Sequence, residues 1–80
     1  MDMQEFNALP LNERTASVWK LGTFLSSRTK GNYSLALYHI GSFFSEMWYD
    51  PVENKIMLVQ AFTSRTLPEP YLELIELPRL

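Results

Sequence analysis

Residues 33–63 carry most of the aromatic, β-branched and long apolar side chains of this 80-residue chain. Turn-forming residues interrupt the run in two places, at Gly41-Ser42 and between Asp50 and Lys55. Glycine at the first position of a two-residue loop is typical of a type II′ hairpin, and Pro51 with Asn54 is typical of a longer turn. The pattern therefore predicts a three-stranded antiparallel meander.

The two turns also predict the register of the strands. A two-residue loop sets Ile40 opposite Phe43, and a four-residue loop sets Met47 opposite Leu58. Because side chains alternate across a strand, the residues sort into two faces. The first face is predicted to hold Ala36, Tyr38, Ile40, Phe43, Ser45, Met47, Tyr49, Ile56, Leu58, Gln60 and Phe62. The second face is predicted to hold Leu35, Leu37, His39, Phe44, Glu46, Trp48, Met57, Val59 and Ala61.

Both predicted faces are apolar, whereas an antiparallel sheet commonly keeps one face polar and wet. The clearly polar side chains in the middle of the meander are Ser45 and Gln60 on the first face, and His39 and Glu46 on the second. Each face therefore needs a cover, supplied by the rest of the chain or by another molecule.

An amphipathic helix is predicted before the meander. Asn12 suits the N-cap, and the helix runs from Glu13 to about Arg28. The positions that define its inward stripe are Thr15, Val18, Leu21, Gly22 and Leu25. Gly22 lies inside this helix and indicates a close approach of the helix backbone to the sheet. Gly31-Asn32 then forms the exit turn.

For each end of the chain the sequence leaves two structures open. Residues 1–10 form either one turn of helix, with Phe6 as an anchor, or a poorly ordered arm. A short helix begins near Glu69, with Tyr71, Leu72 and Ile75 on one side; a fourth strand over YLELIEL is the alternative. The predicted fold is α+β, with an N-terminal amphipathic helix packed on a three-stranded antiparallel β-meander and a short C-terminal helix, in one domain spanning residues 1–80.

The run EMWYDPVENKI, followed by SRTLPEPYLELIEL, resembles a recurrent pattern in small uncharacterised bacterial proteins. In those proteins an aromatic strand ends in Trp-Tyr-Asp, turns, and is followed by a helix of the form Leu-x-x-Tyr-Leu. The resemblance covers about the last forty residues. It implies the order of strand, turn and helix and a bacterial, cytoplasmic origin, and it implies no activity.

Composition removes several classes of function. With no cysteine and one histidine, the chain offers neither a disulfide nor a structural zinc site, and no cofactor is predicted. The net charge of −2 argues against a nucleic-acid or anionic-membrane partner. No apolar run approaches the roughly 18 residues of a membrane span. A chain this short has a small core and often gains stability by association.

His39 and Glu46 are the candidates for acid–base chemistry. The register sets His39 opposite Phe44 and Glu46 opposite Leu37, so the two side chains meet only diagonally, at about 7–8 Å. His39 is expected to be an ordinary polar contact. Glu46 is expected to reach solvent or to pair with a cation, and the candidates are Arg14, Lys20, Arg28 and Arg65. No catalytic residue is predicted, and the protein is predicted not to be an enzyme.

One helix covers one face of such a sheet and leaves apolar surface on the other. The leading hypothesis is therefore a non-enzymatic protein-interaction module that binds itself as a homodimer, or binds another protein. If the first helix covers the Phe43 and Met47 face, the predicted interface residues are Leu37, Phe44, Trp48, Met57 and Val59. The alternatives are a small-ligand or minor enzymatic pocket between helix and sheet that uses His39 and Glu46, and stacking of single-stranded nucleic acid on the aromatic sheet.

Overall fold

The computed structural model of the protein describes residues 1–72. It shows an α+β fold in which N-terminal helices precede an antiparallel sheet with the strand order β1-β2-β3-β4. The elements are α1 (Met3–Asn7), α2 (Leu11–Leu21), β1 (Thr23–Lys30), β2 (Tyr33–Ile40), β3 (Phe43–Asp50), β4 (Lys55–Phe62) and α3 (Glu69–Leu72). Within these residues no helix has the length and apolar character needed to cross a bilayer. The part of the predicted C-terminal helix beyond residue 72 lies outside the described residues.

The sheet has four strands, so the prediction of three was wrong. The predicted helix ends at Leu21 and does not reach Arg28, because residues 23–30 form the additional strand β1. Gly22 ends the helix in an extended conformation, with φ −88° and ψ 151°, and its N–H donates to the Val18 carbonyl at 2.7 Å. The strand that follows is rich in threonine and serine, which have low helix propensity.

Gly22 does make the close approach that the sequence indicates, but at the end of the helix. A Cβ atom at this position would lie 2.6 Å from the carbonyl oxygen of Val18 and 3.2 Å from the Cβ of Tyr38. The start of α2 also differs from the prediction. The helix begins at Leu11 after an extended Pro10, whose carbonyl accepts from the N–H of Arg14 at 2.9 Å, so Asn12 is not the N-cap.

The predicted hairpin between β2 and β3 is confirmed. Ile40 pairs with Phe43, and Gly41 has a positive φ of 57°. The faces predicted for β2 and β3 follow from this register. The next turn also has the predicted length: Asp50 pairs with Lys55, and Asn54 takes the left-handed conformation with φ 55°.

The register of β4 differs from the prediction because Met57 forms a β-bulge. Tyr49 pairs with Ile56, but Trp48 pairs with Leu58, which leaves Met57 as an extra residue on β4. One extra residue moves every later side chain to the opposite face. Val59 and Ala61 therefore lie on the first face, whereas Leu58, Gln60 and Phe62 lie on the second, the reverse of the sequence prediction.

Two helices cover the first face of the sheet. α1 is a single helical segment closed by a capping box, in which Asp2 and Glu5 each accept a hydrogen bond from the backbone N–H of the other. Its Phe6 side chain is fully buried and packs on Phe43, with ring centroids 5.3 Å apart. The buried residues of this core are Phe6, Val18, Ile40, Phe43, Met47 and Val59.

The second face is covered by the segment that follows β4. Leu67 and Tyr71 pack on Leu37 and Phe44, with Phe62 alongside. Sequence reasoning expected a large part of one face to stay open to a partner. Instead, residues 63–72 fold back over the second face, and the fold has two small cores separated by one sheet.

Candidate functional site

Glu46 lies at the centre of the second face and is 1% exposed. It projects from the middle of β3, where five consecutive residues, 43–47, are buried. A carboxylate removed from water needs donors for its oxygens or its burial becomes strongly unfavourable. The surrounding residues supply those donors from three separate parts of the chain.

The Glu46 carboxylate accepts hydrogen bonds from Trp48, Arg28 and Tyr71. The indole Nε1 of Trp48 donates to Oε1 at 2.8 Å. The guanidinium of Arg28 lies 3.2 Å from Oε2 through Nη2, and the hydroxyl of Tyr71 donates to the same oxygen. Arg28 also lies over the ring of Tyr71, 5.2 Å from its centroid. We call these four residues the Glu46 network.

The pKa values of Tyr71 and Arg28 keep both side chains as hydrogen-bond donors to Glu46. Burial, followed by the hydrogen bond to Glu46, raises the pKa of Tyr71 to about 12, so its hydroxyl remains a donor. Burial alone would lower the pKa of Arg28, but Tyr71 and Glu46 more than offset it and the pKa is raised. The expectation that Glu46 pairs with a cation is met by Arg28, one of the four candidates named from the sequence.

The hydrogen bonds of the network hold β1, β3 and α3 together. Arg28 comes from an edge strand, Glu46 and Trp48 come from β3, and Tyr71 comes from the segment that covers the second face. Because the carboxylate is enclosed and already accepts from three side chains, it is not placed to exchange protons with a substrate. His39 is exposed and packs against Phe44, at 4.9 Å between ring centroids.

His39 and Glu46 both lie on the second face, whereas α1 and α2 lie on the first. Neither side chain therefore lines the space between the helices and the sheet, where the predicted pocket would be. Within residues 1–72, no group of three or more histidine, aspartate or glutamate side chains is placed to hold a metal ion.

The five predicted interface residues fall in different environments. Leu37 and Phe44 are buried on the second face beneath Leu67 and Tyr71, and Val59 is buried on the first face. Trp48 is half-buried, and Met57 is exposed at the β-bulge. The folded chain itself covers the first three, so Trp48 and Met57 retain most of the accessible surface of this set.

Four of the exposed apolar side chains lie near one another along the chain, where α2 passes into β1. We call Trp19, Leu21, Phe24 and Leu25 the junction patch; they are 65%, 47%, 56% and 38% exposed. Phe24 packs edge-on against Tyr38, at 5.7 Å between ring centroids. Sequence reasoning missed this patch because it assigned all four residues to one helix and placed two of them in its buried stripe.

A groove of about 230 Å³ lies beside the junction patch on the first face. It crosses the sheet from Ile56 on β4 to Ser27 on β1, and Trp19 of α2 forms one wall. The helices pack mainly against β4, with α2 also reaching β2. On this face the side chains of β1 are the least covered, and Phe24, Ser27 and Thr29 are all exposed.

The strand β1, which the sequence did not predict, brings two cations to the second face. Arg28 belongs to the Glu46 network, and the Nζ of Lys30 lies 5.5 Å from the centroid of the Trp48 ring. Tyr33 packs on the same indole, at 5.8 Å between centroids. Sequence reasoning found only Lys55, at a turn, within the predicted strands, because it did not recognise β1 as a strand. Nucleic-acid stacking on the sheet stays the third alternative inferred from the sequence.

Comparisons of this chain with protein-family models, with curated proteins and with solved structures gave no match. The resemblance of its C-terminal half to small bacterial proteins stays a prediction.

Replacing Glu46 with glutamine should destabilise the fold by about 3 kcal/mol, because it leaves Arg28 without its buried counter-charge. Tyr71→Phe should cost about 1–2 kcal/mol, because it removes one donor from the carboxylate. Urea unfolding followed by circular dichroism measures both free energies. The double variant should cost less than the sum of the two, because the residues belong to one network.

The matched control is Glu53→Gln. Glu53 pairs with Lys55 at 2.9 Å, but both side chains are more than half exposed. The same chemical change there should alter the free energy of unfolding by less than about 0.5 kcal/mol. A loss for Glu46→Gln as small as the one expected for Glu53→Gln would show that the network does not stabilise the fold.

Stability should fall as the pH rises from about 10 to about 12, the range between the ordinary pKa of a tyrosine and that of Tyr71. In this range the unfolded chain releases the Tyr71 proton while the folded chain keeps it, so ionisation favours unfolding. Below pH 10 this contribution is complete. The stability difference between the parent protein and Tyr71→Phe should therefore shrink across the range in urea unfolding curves. Parallel pH profiles for the two proteins would contradict the assignment.

Proposed function

We propose that this protein is a non-enzymatic interaction module that binds a second copy of itself through an apolar part of its sheet. The observation that carries the proposal is the junction patch. A full aromatic or leucine side chain has roughly 200 Å² of surface, so the four residues expose roughly 400 Å². This is within the roughly 300–600 Å² of the largest apolar patch on a typical monomer, a patch that is often functional.

The position of the patch supports this proposal. It adjoins the exposed first-face side chains of β1, and Tyr38 contributes both to the contact with Phe24 and to the wall of the groove. Tryptophan and phenylalanine at the centre of an apolar patch are the residue types that dominate the energy of protein interfaces. The other large exposed apolar residues in the described part of the chain, Met1, Val52, Met57 and Leu58, lie elsewhere.

The surface proposed now differs from the one inferred from the sequence. The second face, which carries Leu37 and Phe44, is closed by residues 63–72 and by the Glu46 network. On the first face, the side chains of β1 remain exposed. The proposed function is still self-association, as inferred from the sequence. The proposed contact surface is now on the first face of the sheet and not on the second.

The double variant Trp19→Ser/Phe24→Ser should weaken dimer formation by about tenfold or more, since each side chain is expected to contribute at least about 1 kcal/mol. Size-exclusion chromatography with light scattering, over a concentration series up to about 100 μM, measures the effect. Because both side chains are more than half exposed, circular dichroism should show a folded variant.

Val52→Ser is the matched control for loss of exposed apolar surface. Val52 is highly exposed and lies in the turn between β3 and β4, outside the junction patch. This variant should associate as the parent protein does. A parent protein that stays monomeric throughout the series, or equal weakening by Val52→Ser, would overturn the proposal.

A second candidate function is the binding of a small apolar molecule in the groove. Its specific support is the lining, in which Trp19, Tyr38 and Tyr49 surround a volume of about 230 Å³. This is below the usual range for drug-sized ligands, so the candidate ligand is a single aromatic ring system. The residues involved differ from the His39 and Glu46 pair considered from the sequence.

Indole is a suitable probe for this second function. It should cause saturable chemical-shift changes at the backbone amides of Ala36 and Tyr38, which line the groove, in a ¹H–¹⁵N correlation spectrum. Trp19→Ser should weaken the response, because it removes one wall of the groove. Shifts that grow linearly with indole, or that are equally large at Val52, would remove this candidate.

A further inference from the structure

We infer that the second copy joins edge to edge, with β1 of one protomer antiparallel to β1 of the other and a two-fold axis at Ser27. The inference rests on the proposed self-association and specifies its geometry. β1 lies at the edge of the sheet, and within residues 1–72 no strand pairs with its outer side. Such an edge carries backbone donors and acceptors that can pair with another strand.

The usual protection of an edge strand is weak on residues 26–30 of β1. Natural proteins commonly block such edges with charged side chains, proline or a β-bulge, and the bulge of β1 lies before this segment. The cations of β1 are Arg28 and Lys30, and both are directed onto the second face, the former to Glu46 and the latter over Trp48. The strand contains no proline, and its other polar residues are small hydroxyl-bearing ones.

The bulge at Leu25 limits which part of β1 can form a regular ladder. Phe24 pairs with Tyr38 and Ser26 pairs with Leu37, so Leu25 is an extra residue on β1. The segment from Ser26 to Lys30 is free of irregularity. It therefore provides five consecutive residues for an intermolecular ladder, with the junction patch directly beside it.

Charge selects the register within that segment. A two-fold axis at Ser27 sets Arg28 opposite Ser26 of the second copy, and beyond the bulge it sets Lys30 opposite Thr23. An axis at Arg28 or Lys30 would set two like charges opposite each other, and one at Thr29 would set Arg28 opposite Lys30. An axis at Ser26 would place the bulge of β1 next to the axis. Because like charges directly opposite are destabilising and a bulge interrupts the ladder, the register centred on Ser27 is favoured.

The same register connects the two apolar surfaces. Ser27 lies on the first face, at the end of the groove that reaches the sheet edge. A two-fold axis through this position brings the grooves of the two copies end to end. It also places the junction patches on the same side of one continuous eight-stranded sheet. The contact is isologous, so it closes at two copies.

Single cysteines test this geometry directly, because the chain contains none of its own. Residues directly opposite in an antiparallel pair are close enough for a disulfide, whereas positions two residues out of register exceed the roughly 7 Å Cα limit. Ser27→Cys should therefore form a cross-linked dimer under mild oxidation at least about tenfold faster than Ser26→Cys or Thr29→Cys. Non-reducing gel electrophoresis gives the rates.

The outcomes separate this inference from the proposed function. Preferential cross-linking at Ser27 supports both. A dimer by light scattering in which Ser27→Cys cross-links no faster than Ser26→Cys or Thr29→Cys overturns the β1 pairing and leaves self-association standing. A parent protein that is monomeric by light scattering, together with slow cross-linking of all three variants, overturns both.

Discussion

The burial of the Glu46 carboxylate is the constraint on which this fold depends. A charge in the middle of a central strand is tolerated only if the surroundings supply donors, and here these come from β1, from β3 itself and from the C-terminal segment. The network therefore fixes the position of the segment that covers the second face. Apolar contacts of Leu67 and Tyr71 add to the attachment, but those contacts alone are not directional.

The part of the fold that local turn chemistry specifies could be predicted from the sequence. Gly41-Ser42 and the turn before Lys55 indicated the two hairpins and the faces of β2 and β3. The strand β1 was missed because its residues continued the helical spacing of α2 through Leu25. A signal was nevertheless present: Gly31-Asn32 has the same glycine-first form as Gly41-Ser42, and Gly31 likewise has a positive φ.

Two other features had no comparable local signal. The bulge at Met57 is decided by packing on both sides of β4, which places Val59 in one core and Phe62 in the other. The cover of the second face depends on contacts between residues far apart in sequence, such as Tyr71 with Glu46. For the candidate site, the sequence indicated an apolar sheet and a paired Glu46, but its choice of exposed residues depended on the strand and register that were wrong.

The bulge at Met57 has a consequence for how the chain tolerates changes in length. β4 contributes to both cores, and the extra residue sets which side chain enters which core. Deleting one residue between the bulge and the strand end would send Ala61 or its neighbours across the sheet and exchange apolar with polar positions. The solvent-exposed turn before β4 can absorb an added residue without this exchange. Variation in length is thus compatible with the turn and incompatible with the strand that follows it.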